Sequence, residues 1–103
     1  MSEYIRVASV HQIREGLGTL VTVKGADIAL FRYEGMFYAV SNVCSHQHFS
    51  KLHEGCQDGL RITCPMHGWT YDLKSGTALN GDGRIATYPV KIEGSDVMVE
   101  VPS

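Results

Sequence analysis

Two short pairs of metal-ligand residues, Cys44-Ser45-His46 and Cys64-Pro65-Met66-His67, are separated by seventeen residues. Four such donors held at two distant places require a fold that brings two loops together. The rest of the chain is then scaffold for them. Two thiolates and two imidazoles suit either a closed tetrahedral zinc ion or an iron–sulfur cluster in which histidines replace two cysteines on one iron. Zinc fingers and knuckles commonly pair like with like, as C-x₂₋₄-C and H-x₃₋₅-H, whereas each pair here mixes a thiolate with an imidazole. The mixing suits a binuclear site better. If each loop gives one ligand to each of two irons, the loops clamp the cluster from opposite sides, with cysteines on one iron and histidines on the other. A zinc-stabilised structural or protein-binding module remains the competing interpretation.

The flanking segments predict strands. Leu20 to Lys24, Asp27 to Tyr33 and Met36 to Val43 are rich in valine, isoleucine and aromatics, as strands favour. They are separated by Gly25 and by Glu34-Gly35, the latter suited to a two-residue hairpin turn. This meander delivers Cys44 just beyond a strand end. Residues 44–59 show neither helical nor strand periodicity and are expected to form a long loop. A short strand from Leu60 to Thr63 then delivers Cys64. Thr70 to Leu73 and Thr77 to Leu79 flank a hairpin turn, and Asn80-Gly81-Asp82-Gly83 forms a further glycine-rich turn. From Tyr88 onward apolar and polar residues alternate through Glu93 and again from Val97 to Val101, a clear C-terminal hairpin. Near the N-terminus, Ser9 can cap a single helical turn over Val10 to Ile13. No segment sustains a helical stripe, so the expected class is all-β, an antiparallel sandwich or barrel.

Composition narrows the function. A chain of 103 residues fits one domain over 1–103. A net charge of −2 with interspersed signs offers no basic stripe for nucleic acid. No long apolar run suggests a membrane span or secretory leader, and a cytoplasmic location is expected. Three cysteines are an odd number, which favours thiol ligands in a reducing compartment over a disulfide framework. The third, Cys56, has no short-range partner and is expected to be an unligated, partly buried thiol. No nucleophile motif or pair of acidic residues suggests a catalytic site.

The pattern C-x-H-x₁₇-C-P-x-H-G-W-x-Y-D in an all-β chain resembles the Rieske-type ferredoxins. The resemblance rests on Cys44, His46, Cys64, Pro65, His67, Gly68 and Asp72, with Leu52 and Gly55 between the loops. It implies a Rieske-like fold with a cluster-binding portion at about 43–83 made of two ligand loops. It also implies one [2Fe–2S] cluster, with Cys44 and Cys64 on one iron and His46 and His67 on the other. With two bridging sulfides and two protein donors, each iron is four-coordinate, so the expected role is electron transfer rather than catalysis. The partners implied are a flavin-dependent reductase as donor and the oxygenase of a ring-hydroxylating dioxygenase system as acceptor, met transiently by a monomer. A similar domain occurs in the small subunit of NAD(P)H-dependent nitrite reductases, a second possibility.

Three residues around the ligands bear on the potential. High-potential relatives carry an additional cysteine in each ligand loop and a serine after the His-Gly pair; here Met66 and Trp69 occupy two of those places. Tyr71 matches the tyrosine whose hydroxyl bonds a ligand cysteine. A potential in the lower part of the Rieske range of about −150 to +300 mV is expected. Phe49, Leu52 and Trp69 offer an apolar rim for partner docking or a cover against water. His48 and His53 are expected to be surface histidines beside the first loop.

Overall fold

Two turns organise the middle of the molecule in the computed structural model, which describes residues 2–43, 51–65, 68–79 and 83–102. Strand β2 (Thr19–Val23) turns at Lys24-Gly25 into β3 (Ala26–Tyr33), and β3 turns at Glu34-Gly35 into β4 (Met36–Ser41). Both residues of each turn have positive φ, 50° and 81° in the first and 51° and 79° in the second. That is the geometry whose twist matches two antiparallel strands, and glycine supplies the second position without strain. The predicted meander is therefore present.

Strand β1 (Ser2–Ser9) precedes it, joined through a 3₁₀ turn, Val10–Gln12. Ser9 caps that turn reciprocally: its hydroxyl accepts from the His11 N–H, and its own N–H donates to the Gln12 side chain. After the meander come β5 (Cys56–Asp58), β6 (Arg61–Thr63) and β7 (Thr70–Asp72). The chain ends with β8 (Thr87–Tyr88), β9 (Val90–Glu93) and β10 (Asp96–Pro102). Among the described residues these strands form three antiparallel sheets, ordered β1-β10-β9, β2-β3-β4-β8 and β5-β6-β7.

The four-stranded sheet is the central layer, and its side chains serve two cores. Alternation sends Ile28, Leu30 and Ala39 to one face, where they pack with Val97, Val99 and Val101 of β10. It sends Ala29, Phe31 and Val40 to the other, where they pack with Leu52, Ile62, Tyr71 and Leu73. Because β3 is covered on both sides, it buries four consecutive residues, Ile28 to Phe31. A strand exposed on one face would have alternated with polar residues. The second core carries the sheet of β6 and β7 that flanks Cys64.

Three expectations are refined. The run from Tyr88 to Glu93 is two strands, not one. Pro89 lacks an N–H, and the chain changes sheets there: Tyr88 pairs with Ala39, while Val90 pairs with Val99. The stretch read as loop from Cys44 to Gly59 contains a 3₁₀ turn, Leu52–Glu54, and strand β5. Thr77 to Leu79 makes isolated bridges, Tyr71 with Ala78 and Thr77 with Arg84, instead of a continuous strand.

Candidate metal centre

Cys64, the first residue of the second pair, follows one strand of a hairpin. Strands β6 and β7 pair Arg61 with Asp72, Ile62 with Tyr71 and Thr63 with Thr70. The chain between Thr63 and Thr70 runs from Cys64 to Trp69. The Cys64 N–H donates to the Trp69 carbonyl at 2.7 Å, and the Thr63 and Thr70 hydroxyls meet at 3.0 Å. Cys64 is thus anchored across the hairpin to Trp69. Pro65 favours an extended backbone at Cys64, and Gly68 takes a φ of 70° on the far side. The cysteine is 1% exposed and packs in the core that holds Leu52, Ile62 and Tyr71.

Of the first pair, Cys44 and His46 lie outside the described residues, but both ends of their segment are described. At the exit of β4, the Asn42 N–H donates to the Asp27 carbonyl at 2.9 Å. The Asn42 carbonyl accepts from the Leu52 N–H at 3.1 Å, and its side-chain Oδ1 accepts from the His53 N–H at 2.6 Å. The returning chain then presses on β6: a Cβ placed on Gly55 would lie 2.2 Å from the Thr63 carbonyl oxygen. Cys56 next pairs with Thr63. The segment that follows Cys44 and His46 therefore returns against the residue preceding Cys64.

A third segment flanks the tip. The Leu79 N–H donates to the Thr70 carbonyl at 2.8 Å, and the Ala78 N–H donates to the Gly83 carbonyl at 3.0 Å. Gly76 lets this crossing approach closely, since a Cβ there would lie 2.1 Å from the Ile85 carbonyl oxygen. The expected glycine turn begins here, with residues 80–82 outside the described set.

Of the residues singled out in the sequence, Cys64 is described and buried; Cys44, His46, Met66 and His67 lie outside the described residues, as do His48 and Phe49. Among the described residues no three His, Cys, Asp or Glu side chains come together to hold a metal ion. Tyr71 is fully buried in the same core as Cys64, and Trp69 packs half-buried against it. Leu52 is fully buried, so it belongs to the cover and not to a docking rim. Cys56 is an exposed thiol, because β5 turns its side chain away from the core. His53 is not a plain surface residue: its Nδ1 lies 3.0 Å from Asn42 Nδ2. Asn42 itself escaped sequence reasoning, although a short polar side chain two residues before the first ligand is a visible signal.

A family model, the Rieske [2Fe-2S] domain, matches residues 3–89. The ferredoxin component of a naphthalene 1,2-dioxygenase system from Pseudomonas aeruginosa is 38% identical over 101 residues, covering 96% of each chain. Among solved structures, a chain from a complex of reduced oxygenase and oxidised ferredoxin in carbazole 1,9a-dioxygenase superposes with a TM-score of 0.84 at 27% identity, covering 93% of this chain and 91% of that one. A chain described as an NADH-dependent nitrite reductase small subunit from Mycobacterium tuberculosis reaches a TM-score of 0.91 at 21% identity, covering 100% and 98%. At that identity the likeness concerns the fold alone.

Proposed function

The chain belongs to the Rieske [2Fe–2S] domain family, and from that premise we propose that it is the ferredoxin of an aromatic-ring-hydroxylating dioxygenase system. It takes single electrons from a flavin-dependent reductase and delivers them to the terminal oxygenase. Near end-to-end likeness to a dioxygenase-system ferredoxin carries the proposal, with 96% of both chains matched. The nitrite reductase alternative is supported only by a shared fold.

The cofactor is a Rieske [2Fe–2S] cluster, which supplies one reversible electron per chain. The residues fit it. Cys64 offers a buried thiol at an anchored hairpin end, and the segment carrying Cys44 and His46 returns beside it at Thr63. Cys44 and Cys64 hold one iron, and His46 and His67 hold the other, within a cluster-binding portion at about 43–83. Tyr71 and Leu52, both fully buried, keep water from the cysteine side. Trp69 and Met66 stand where high-potential relatives place groups that raise the potential, so a lower-potential centre is expected. The reading includes a monomer working in the cytoplasm; among the described residues no helix is long and apolar enough to cross a membrane.

Reconstitution tests it. NADH, a reductase and an oxygenase from one ring-hydroxylating system are mixed with and without this protein, and hydroxylated product is measured. Product that depends on the protein, together with a red-brown colour and a reduced-state EPR signal of low average g, is expected. A colourless, zinc-containing protein would overturn the cluster; a coloured protein that never supports product would overturn the pathway.

A further inference from the structure

We propose that Asn42 is a positioning residue for the cluster. It ties the entry and the return of the segment bearing Cys44 and His46 to a single point; the inference rests on the reading of those two residues as ligands.

Asn42 is 0% exposed, and among the described residues it is the one buried side chain that is polar. Its polar groups reach in at least three directions. Its N–H holds the Asp27 carbonyl of β3, so the residue is fixed to the central sheet. Its carbonyl receives the Leu52 N–H at 3.1 Å, and its Oδ1 receives the His53 N–H at 2.6 Å. The His53 ring also faces the amide: its Nδ1 lies 3.0 Å from Asn42 Nδ2 and 3.2 Å from Asn42 Oδ1. The ring's Nε2 lies 3.9 Å from a Glu54 carboxylate oxygen. Residue 42 thus bridges the exit of β4 to the start of the returning 3₁₀ turn, and only Val43 separates it from Cys44.

The returning turn is wedged from other sides as well. A Cβ on Gly18 would lie 2.4 Å from the His53 carbonyl oxygen and 2.8 Å from Phe31 Cε1. Glycine at 18 and at 55 therefore lets the backbone of residues 52–55 sit in a slot between β3, β6 and Asn42. An apolar residue at 42 would fill the same volume but leave the His53 N–H without its acceptor, and a buried amide without a partner is costly. Ligand placement within a fraction of an ångström depends on such supporting bonds.

The test uses the holoprotein and two variants, Asn42→Ala and Asn42→Ser, the second polar but too short to reach His53. Iron content and the reduced EPR signal of the parent establish the ligand reading; a parent without iron overturns that reading and the positioning role with it. Given a loaded parent, both variants are expected to keep the far-UV circular dichroism of the β-sheets. Under a chelator they lose visible absorbance about tenfold faster, equivalent to about 1.4 kcal/mol. They also show a shifted reduction potential and a broadened EPR line, which a merely structural contact would not move. A folded variant with the parent's cluster lifetime, potential and line shape overturns the proposal while leaving the ligands standing. Failure of both variants to fold also overturns it, since Asn42 would then support the core in general and not the site.

Discussion

Replacing Gly55 with alanine sets local conformation against packing. Gly55 has φ −74° and ψ 179°, an extended conformation that any residue adopts. Taken alone, Gly→Ala at such a position stabilises by about 0.4–1 kcal/mol, because the unfolded chain loses freedom. The surroundings reverse the sign: the new methyl would lie 2.2 Å from the Thr63 carbonyl oxygen and 3.0 Å from that of Leu52. Both obstacles are backbone, and neither can rotate away. The Leu52 carbonyl also accepts the Gly55 N–H at 2.9 Å, so relief requires shifting the 3₁₀ turn or β6. A cost at the upper end of the overpacking range, about 3 kcal/mol, is expected. For a domain of this size 1 kcal/mol moves the midpoint by about 4–8 °C, so the apparent Tm of the holoprotein should fall by about 12–24 °C. Far-UV circular dichroism at one scan rate for parent and variant measures it. Gly94→Ala is the reference: φ there is +64° with open space around it, and a cost of about 1 kcal/mol is expected. A Gly55→Ala protein as stable as the parent, or less affected than Gly94→Ala, would refute the close approach of the returning segment to β6.

Phe31→Ala removes a fully buried ring from the core shared by the central sheet and the ligand-bearing sheet; a loss of about 3–5 kcal/mol in chemical denaturation is expected, and a loss below 1 kcal/mol would contradict the layered packing. Tyr71→Phe, in the same core as Cys64, should lower the reduction potential by about 40 mV, the equivalent of one hydrogen bond of about 1 kcal/mol for a one-electron couple; an unchanged potential would remove the tyrosine hydroxyl from the cluster's surroundings. Cys56→Ser changes an exposed thiol, and iron content and potential should stay at parent values with stability within about 0.5 kcal/mol; loss of iron would make Cys56 a ligand.

Local chemistry made much of the fold legible. Glu34-Gly35 and Gly25 announced their turns because a two-residue antiparallel connection needs positive φ, and Ser9 announced its cap. The valines at 97, 99 and 101 announced a strand with one buried face. Strand β5 stayed hidden because Cys56-Gln57-Asp58 is short and polar; it is a strand only through its pairing with β6. Pro89 was present in the alternating run, but its effect depends on which sheets lie on either side. The pairing of β1 with β10, which joins Ile5 to Val99, has no local signature at all. At the site, residue types and spacing marked Cys44, His46, Cys64 and His67 as candidate donors, of which Cys64 lies among the described residues, and the mixed pairing favoured a binuclear cluster over zinc. Asn42 and His53 were not legible as partners: they lie eleven positions apart, and only folding brings their polar atoms into contact.

A cluster held on one side by His46 and His67 is detected by pulsed EPR on the reduced holoprotein carrying ¹⁵N-labelled histidine. Two strongly coupled imidazole nitrogens in the parent, and one in each of the variants His46→Cys and His67→Cys, are the predicted result. A reduced cluster with no coupled histidine nitrogen, or a protein whose only metal is zinc, would contradict it.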